Sequence, residues 1–157
     1  MILTGWRVAS PVYASTPKEM MSGEGARLYG GRWNSKGVPM VYLGTSLAQA
    51  SMELLVHLER SDVLNSFVKM SVSFDESLVA HIDADDLPSD WFEPSMASSV
   101  QTFGDQWVLK EDSVILQVPS AALIGEYNYL FNPAHPEAKN VTMSDILPHN
   151  YDPRLCK

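Results

Sequence analysis

The chain has 157 residues, enough for one domain around one core. At 45% hydrophobic and 19% charged residues it has the make-up of a water-soluble globule, and no stretch approaches the run of about 18 apolar residues that a membrane helix needs. A formal net charge of −8 argues against direct nucleic-acid binding, because phosphate backbones are held by basic surfaces.

The charge is uneven. Over residues 1–36, five cations (Arg7, Lys18, Arg27, Arg32, Lys36) against two acids (Glu19, Glu24) leave +3; in the remainder, six cations against seventeen acids leave −11. The basic end suits a small anionic ligand. The acidic remainder suits a solubilising surface, or a face for a basic protein partner. The single cysteine, Cys156, can form no internal disulfide, so the fold does not depend on an oxidising compartment. The first residues lack the pattern of a signal peptide, which makes the cytoplasm the expected location.

In chain order, Ile2–Ala9 reads as a first strand, with Trp6 and Val8 on one side and Arg7 on the other. Pro11–Gly31 is turn-like in composition and reads as a long loop. Val38–Leu43 is a short apolar strand, followed by a turn at Gly44 and Thr45. Ser46 opens the best-marked helix. With Gln49 three residues on it forms a capping-box pattern, and Leu47, Leu54 and Leu58 give an apolar stripe running to Glu59. Glu53 flanks that stripe, and His57 follows four residues later. Ser66–Phe74 alternates cleanly and reads as a half-buried strand, with a further short strand at Leu78–Ile82. Asp83–Pro94 is an acidic loop. Ser95–Leu109 reads as a helix with Val100, Phe103 and Trp107 inward and Gly104 interrupting it. Val114–Val118 is a buried strand, Glu126–Pro136 an aromatic, turn-rich segment, and Val141–Ile146 a last strand or turn.

The residues able to carry chemistry cluster early. Arg27 and Arg32 bracket Gly30–Gly31, and an arginine fork beside glycines suits phosphate oxygens; two surface arginines on a loop would look the same. Glu53 is a helical carboxylate, in the commoner case merely solvated. His57 fits a helix-face or core histidine, since no histidine pair has metal-ligand spacing and no metal is expected. Ser120 follows a strand and a proline without the Gly-x-Ser-x-Gly elbow of a hydrolase, so its hydroxyl is expected to bind ligand or cap a turn. Asn128, Asn132 and His135 read as turn residues. Tyr42 ends a strand facing the Glu53 helix.

Taken together and in order, Trp6-Arg7, Gly-Gly-Arg-Trp-Asn (Gly30–Asn34), Val41-Tyr42, Glu-Leu-Leu-Val-His-Leu-Glu (Glu53–Glu59), Val-Pro-Ser (Val118–Ser120) and Asn-Tyr-Leu-Phe-Asn-Pro-x-His-Pro (Asn128–Pro136) resemble the RES-domain family, the toxins of Xre–RES toxin–antitoxin modules. The resemblance covers nearly the whole chain, residues 1–157, as one domain. It implies a mixed α/β (α+β) fold similar to ADP-ribosyltransferase toxins, with small β-sheets and packed helices, and an activity that consumes NAD as substrate with no resident cofactor. It implies Arg32, Glu53 and Ser120 as the catalytic set and Arg7, Tyr42 and Arg27 as NAD-binding residues. Nicotinamide in NAD is a cation and departs neutral, so one carboxylate suffices where ordinary glycosidases use two. Arg32 and Arg7 would then hold the pyrophosphate, Tyr42 would pack on nicotinamide or ribose, and Ser120 would bond one of them. Water or phosphate as acceptor gives NAD breakdown; a protein acceptor gives ADP-ribosylation. A non-catalytic nucleotide- or protein-binding module is the rival reading. The implied partner is an Xre-type helix-turn-helix antitoxin that covers the active-site entrance and binds operator DNA; the toxin is implied to pair within a larger complex and itself to touch neither DNA nor membrane.

Overall fold

A computed structural model of the protein describes residues 1–12, 14–58, 66–94 and 98–155. Glu59, Ser95 and Cys156, singled out above as the ends of two helices and the lone thiol, lie outside the described residues. The first strand, β1 (Ile2–Ala9), falls where the alternation places it. The long loop expected next is instead partly helical, with α1 (Pro17–Met20) and α2 (Glu24–Tyr29). The signal for α1 is Thr16-Pro17: Glu19 N donates to Thr16 Oγ1 at 3.2 Å, and the proline fills a position whose N–H would go unused.

Strand β2 (Val41–Gly44) begins later than its apolar run and absorbs Gly44, which was expected to turn. Helix α3 (Leu47–Leu55) starts at the Ser46 cap, where Ser46 Oγ accepts from Gln49 N at 3.0 Å. It stops short of Glu59, so His57 lies past its end and is exposed. Strand β3 (Phe67–Asp75) buries Met70, Val72 and Phe74 as its alternation requires. Next come β4 (Val79–His81), α4 (Ser98–Lys110) and β5 (Ile115–Pro119). The segment read as turn-rich holds a strand, β6 (Tyr127–Phe131). Its aromatic residues favour a pleated, half-buried surface, and that preference outweighs the flanking asparagines and prolines. The chain ends with β7 (Thr142–Met143) and β8 (Leu147–His149), the latter beyond the range expected.

All eight strands among the described residues join one sheet, where small sheets were implied. The order is β4-β5-β6-β2-β1-β3-β7, with β8 also on β3, and among the described residues only β4–β5 is parallel. Each face carries its own core. On one lie Val41, Leu43, Met70, Val72, Phe74, Ile115, Tyr129 and Phe131, with Phe74 and Tyr129 edge to face at 5.2 Å. On the other lie Met40, Leu116, Val118 and Leu130, covered by Trp33, Val100 and Trp107. Helix α3 shares this second side. A Cβ at Gly44 would sit 2.4 Å from Ala50 N, so the helix backbone rests directly on β2. At its far edge Ser51 Oγ, which donates to Leu47 O, lies 3.0 Å from Nε2 of the buried His149 on β8. Among the described residues, no helix is long and apolar enough to cross a membrane.

Candidate active site

Helix α3 and the central strands bring one carboxylate into a ring of donors. Three converge on Glu53 Oε1: Ser120 Oγ at 2.6 Å, Asn128 Nδ2 at 2.6 Å and Gln49 Nε2 at 3.1 Å. Glu53 Oε2 bonds none of the described residues. Asn128 sits on β6 opposite Gly44 and Val118, so its side chain rises on the α3 face. Ser120 is 1% exposed and is fixed twice more: Leu123 N donates to its Oγ at 3.1 Å, and its own N–H donates to Glu126 O at 2.8 Å. The hydroxyl therefore both caps a turn and donates to the carboxylate. Gln49 completes only half of the capping box. Its backbone N–H uses the Ser46 cap, but its side chain runs inward to Glu53 and to Asn128 Oδ1 (3.1 Å).

The Gly30–Asn34 loop is held as a unit. Gly31 N donates to Asn34 O at 2.9 Å, and the fully buried Asn34 donates Nδ2 to Ala26 O (2.8 Å) and Val38 O (3.0 Å). Tyr42 OH donates to Asn34 Oδ1 at 2.6 Å and accepts from Trp33 N at 3.0 Å. Burial pushes the Tyr42 phenol well above its usual range, against the opposing pull of the Trp33 N–H. Helix α4 braces the loop from behind: Gln101 Nε2 donates to Gly31 O (2.9 Å) and Asn34 O (3.3 Å), and Ser35 N donates to Asp105 Oδ1 (2.9 Å). On this braced loop Arg32 donates Nη1 to Trp91 O (3.0 Å) and Glu93 O (2.9 Å). Its Nη2 and Nε bond none of the described residues, so two donors of a positioned guanidinium remain for an anion.

A cleft of about 300 Å³ is lined at one point by Trp91, whose carbonyl holds Arg32, and at another by Ser120, which bonds Glu53; Arg32 and Glu53 themselves are not among its lining residues. Asp83, Asp85 and Glu126 line it, together with Tyr127 and Ile124.

The remaining expected residues are placed differently. Tyr42 acts through its hydroxyl as a peg for the Arg32 loop. Arg7 pairs with Met70, whereas its neighbour Trp6 pairs with Gly44 under α3; Arg7 thus points to the opposite face, where Nε donates to Met20 O at 3.1 Å. Burial lowers its pKa, although a guanidinium stays charged. Arg27 lies on α2 with its side chain 41% exposed, and Glu24 accepts from its Nε at 2.8 Å. The structure therefore joins Glu53 with Ser120, holds Arg32 on the braced loop against Trp91 and Glu93, and gives Arg7 and Arg27 other partners. Asn128, Gln49 and Asn34 were not assigned to the site from the sequence. For Asn128 the available signal was a polar residue sharing its strand face with the buried Leu130.

The RES domain family model matches residues 4–152. The chain is 38% identical to "Toxin Res" of Photorhabdus laumondii over 87% of this chain and 88% of that protein. It is 34% identical to "Prs ADP-ribosylating toxin" of Sphingobium sp. (strain YBL2), over 100% of this chain and 99% of that one. The fold is similar to a chain in the crystal structure of the M. tuberculosis MbcT-MbcA toxin-antitoxin complex, with a TM-score of 0.74 and 19% identity, covering 99% of this chain and 87% of the other. By sequence match over almost its whole length, this chain belongs to the RES domain family.

Proposed function

We propose that this chain is the toxin of a toxin–antitoxin pair, and that it consumes NAD by breaking the nicotinamide–ribose bond, with water or phosphate as acceptor. The observation that carries the reading is the Glu53 carboxylate, oriented by three side-chain donors on one oxygen while the other is left for a ligand. Nicotinamide departs neutral and needs no general acid. The work left to the protein is to stabilise positive charge developing on the ribose and to hold the rest of the substrate still. Glu53 Oε2 supplies negative charge at the ribose, and Arg32 Nη2 and Nε hold the pyrophosphate by charge-assisted hydrogen bonds. The names of the relatives support a toxin role, and a fold neighbour solved with its antitoxin supports a protein partner. In this reading the partner is an Xre-type helix-turn-helix protein, and the toxin works in the cytoplasm without touching nucleic acid.

Transfer of ADP-ribose to a protein is the second reading, favoured by the name of the Sphingobium relative. The binding-module rival requires Arg32 and Glu53 to be ordinary ion-pairing residues, and neither makes an ion pair among the described residues. The test is purified protein, freed of any partner, incubated with NAD with and without phosphate and the products separated by chromatography. Free nicotinamide is expected, and the ribose-side product names the acceptor. Glu53→Ala protein that is folded yet inactive confirms the assignment. Label from NAD appearing on a protein only when lysate is added selects the second reading. Intact NAD in every sample, lysate included, refutes both.

A further inference from the structure

We propose that Gln49 is a positioning residue for Glu53, and that it acts by fixing which way round the Asn128 side-chain amide lies. The proposal rests on the reading of Glu53 as the working carboxylate.

An asparagine amide has two ends of nearly equal size and opposite sense, one accepting and one donating. Asn128 supports Glu53 only with Nδ2 turned toward the carboxylate, where it donates at 2.6 Å. Its Oδ1 then faces the other way and needs a donor. Gln49 is that donor: its Nε2 lies 3.1 Å from Asn128 Oδ1 and 3.1 Å from Glu53 Oε1. The two amide hydrogens of Gln49 thus serve two acceptors, and the three side chains share one consistent set of donor directions.

That consistency leaves Gln49 Oε1 buried with no hydrogen-bond partner among the described residues. An orphaned acceptor in a residue only 2% exposed costs stability. Turning the Gln49 amide over is no remedy, because it would set Oε1 against Asn128 Oδ1 and Glu53 Oε1, three acceptors together. An apolar residue of similar length would avoid the orphan at this buried place on α3. It would also remove the donor that holds Asn128. The orphaned oxygen is therefore the residue of an arrangement that serves Glu53 and not the core.

The test uses the whole protein with Gln49→Met, which fills the space without donors, and Gln49→Glu, which keeps the shape but presents an added carboxylate. Both are expected to lower kcat for NAD cleavage about 10- to 100-fold with KM little changed, as a misaimed group does. Because Gln49 acts largely through Asn128, Gln49→Met in an Asn128→Ala background is expected to cost clearly less than it does in the wild type, the remainder being its own bond to Glu53 Oε1. Additive losses, an effect on KM only, or unchanged kcat would each overturn the proposal. A second measurement does not depend on NAD: in nitrogen-15 NMR spectra, the Asn128 side-chain amide protons are expected to be protected from exchange in the wild type and to lose protection in Gln49→Met. Unchanged protection overturns the proposal even if the wild type cleaves no NAD, and NAD left intact by the wild type counts against the proposed function alone.

Discussion

Substituting Gly104 tests whether the Arg32 loop is truly braced by α4. A Cβ at this position would lie 1.7 Å from Trp33 O and 2.7 Å from Trp33 C. Non-bonded atoms of this kind sit comfortably at roughly 3.5 Å, so helix and loop must separate by about 1.5–2 Å. Both clashing atoms belong to backbone, and no side-chain rotation relieves them. The separation breaks the two Gln101 bonds and the Ser35–Asp105 bond, now 2.9, 3.3 and 2.9 Å. At about 1 kcal/mol each these total about 3 kcal/mol. Overpacking adds about 1–3 kcal/mol, and the better helix propensity of alanine returns about 1 kcal/mol. Gly104→Ala should therefore lose about 3–5 kcal/mol, a Tm drop on the order of 10 °C for a chain of this size. Gly25→Ala in α2 is the control: nothing lies within 4 Å of the new methyl, and a gain of about 0.5–1 kcal/mol is expected. Thermal and urea unfolding followed by circular dichroism read both. A Gly104→Ala protein as stable as the wild type would refute the close contact and, with it, the account of how Arg32 is aimed.

Four further outcomes follow from the site. Arg32→Ala should reduce NAD turnover about 10²–10³-fold while the melting curve stays cooperative; turnover near the wild-type rate would remove Arg32 from the site. Ser120→Ala takes a donor from Glu53 and an acceptor from Leu123 N, and should cost about 1–3 kcal/mol in urea unfolding together with activity. Tyr42→Phe leaves Asn34 Oδ1 and Trp33 N short of a partner, with a loss of about 1–3 kcal/mol and weakened NAD binding through the displaced loop, read by calorimetry. Burial, then the nearby Lys69 charge, lowers the His149 pKa, so the folded state binds fewer protons than the unfolded chain as pH falls below about 6.5. Stability from this group is present above that pH and lost below it. The urea midpoint should fall between about pH 7.5 and pH 5, and His149→Gln should flatten the fall.

Local patterns were readable where one rule governed a segment. The alternation in β1 and β3 and the Ser46 cap of α3 needed no knowledge of the rest of the chain. Strand β6 was hidden because Asn128 and Asn132 signal turns by type, although Asn128 is paired in the sheet and its amide is taken up by Glu53 and Gln49. Gly104, which looked like an interruption of α4, is the point at which the helix touches the Trp33 backbone. The pairing of Glu53 with Ser120 could be expected only from family resemblance, since no spacing joins residues on α3 and after β5. Gln49 and Asn128 escaped notice because their convergence depends on strand order. Arg7 entered as an NAD-binding residue only through family resemblance; the parity of β1 sets it on the face opposite α3.

The strand order also has a consequence in time. The bonds that aim Glu53 close sequence separations of 67 and 75 residues, and they require β5 and β6 to have zipped onto β2. Such distant pairing is slow compared with helix formation, and a chain is made from its N-terminus. While it is being synthesised, the unfinished protein carries Glu53 and Arg32 but neither of the later groups that set the carboxylate. Under the proposed function, the chain is harmless to the cell that makes it until its last third has been built and folded back.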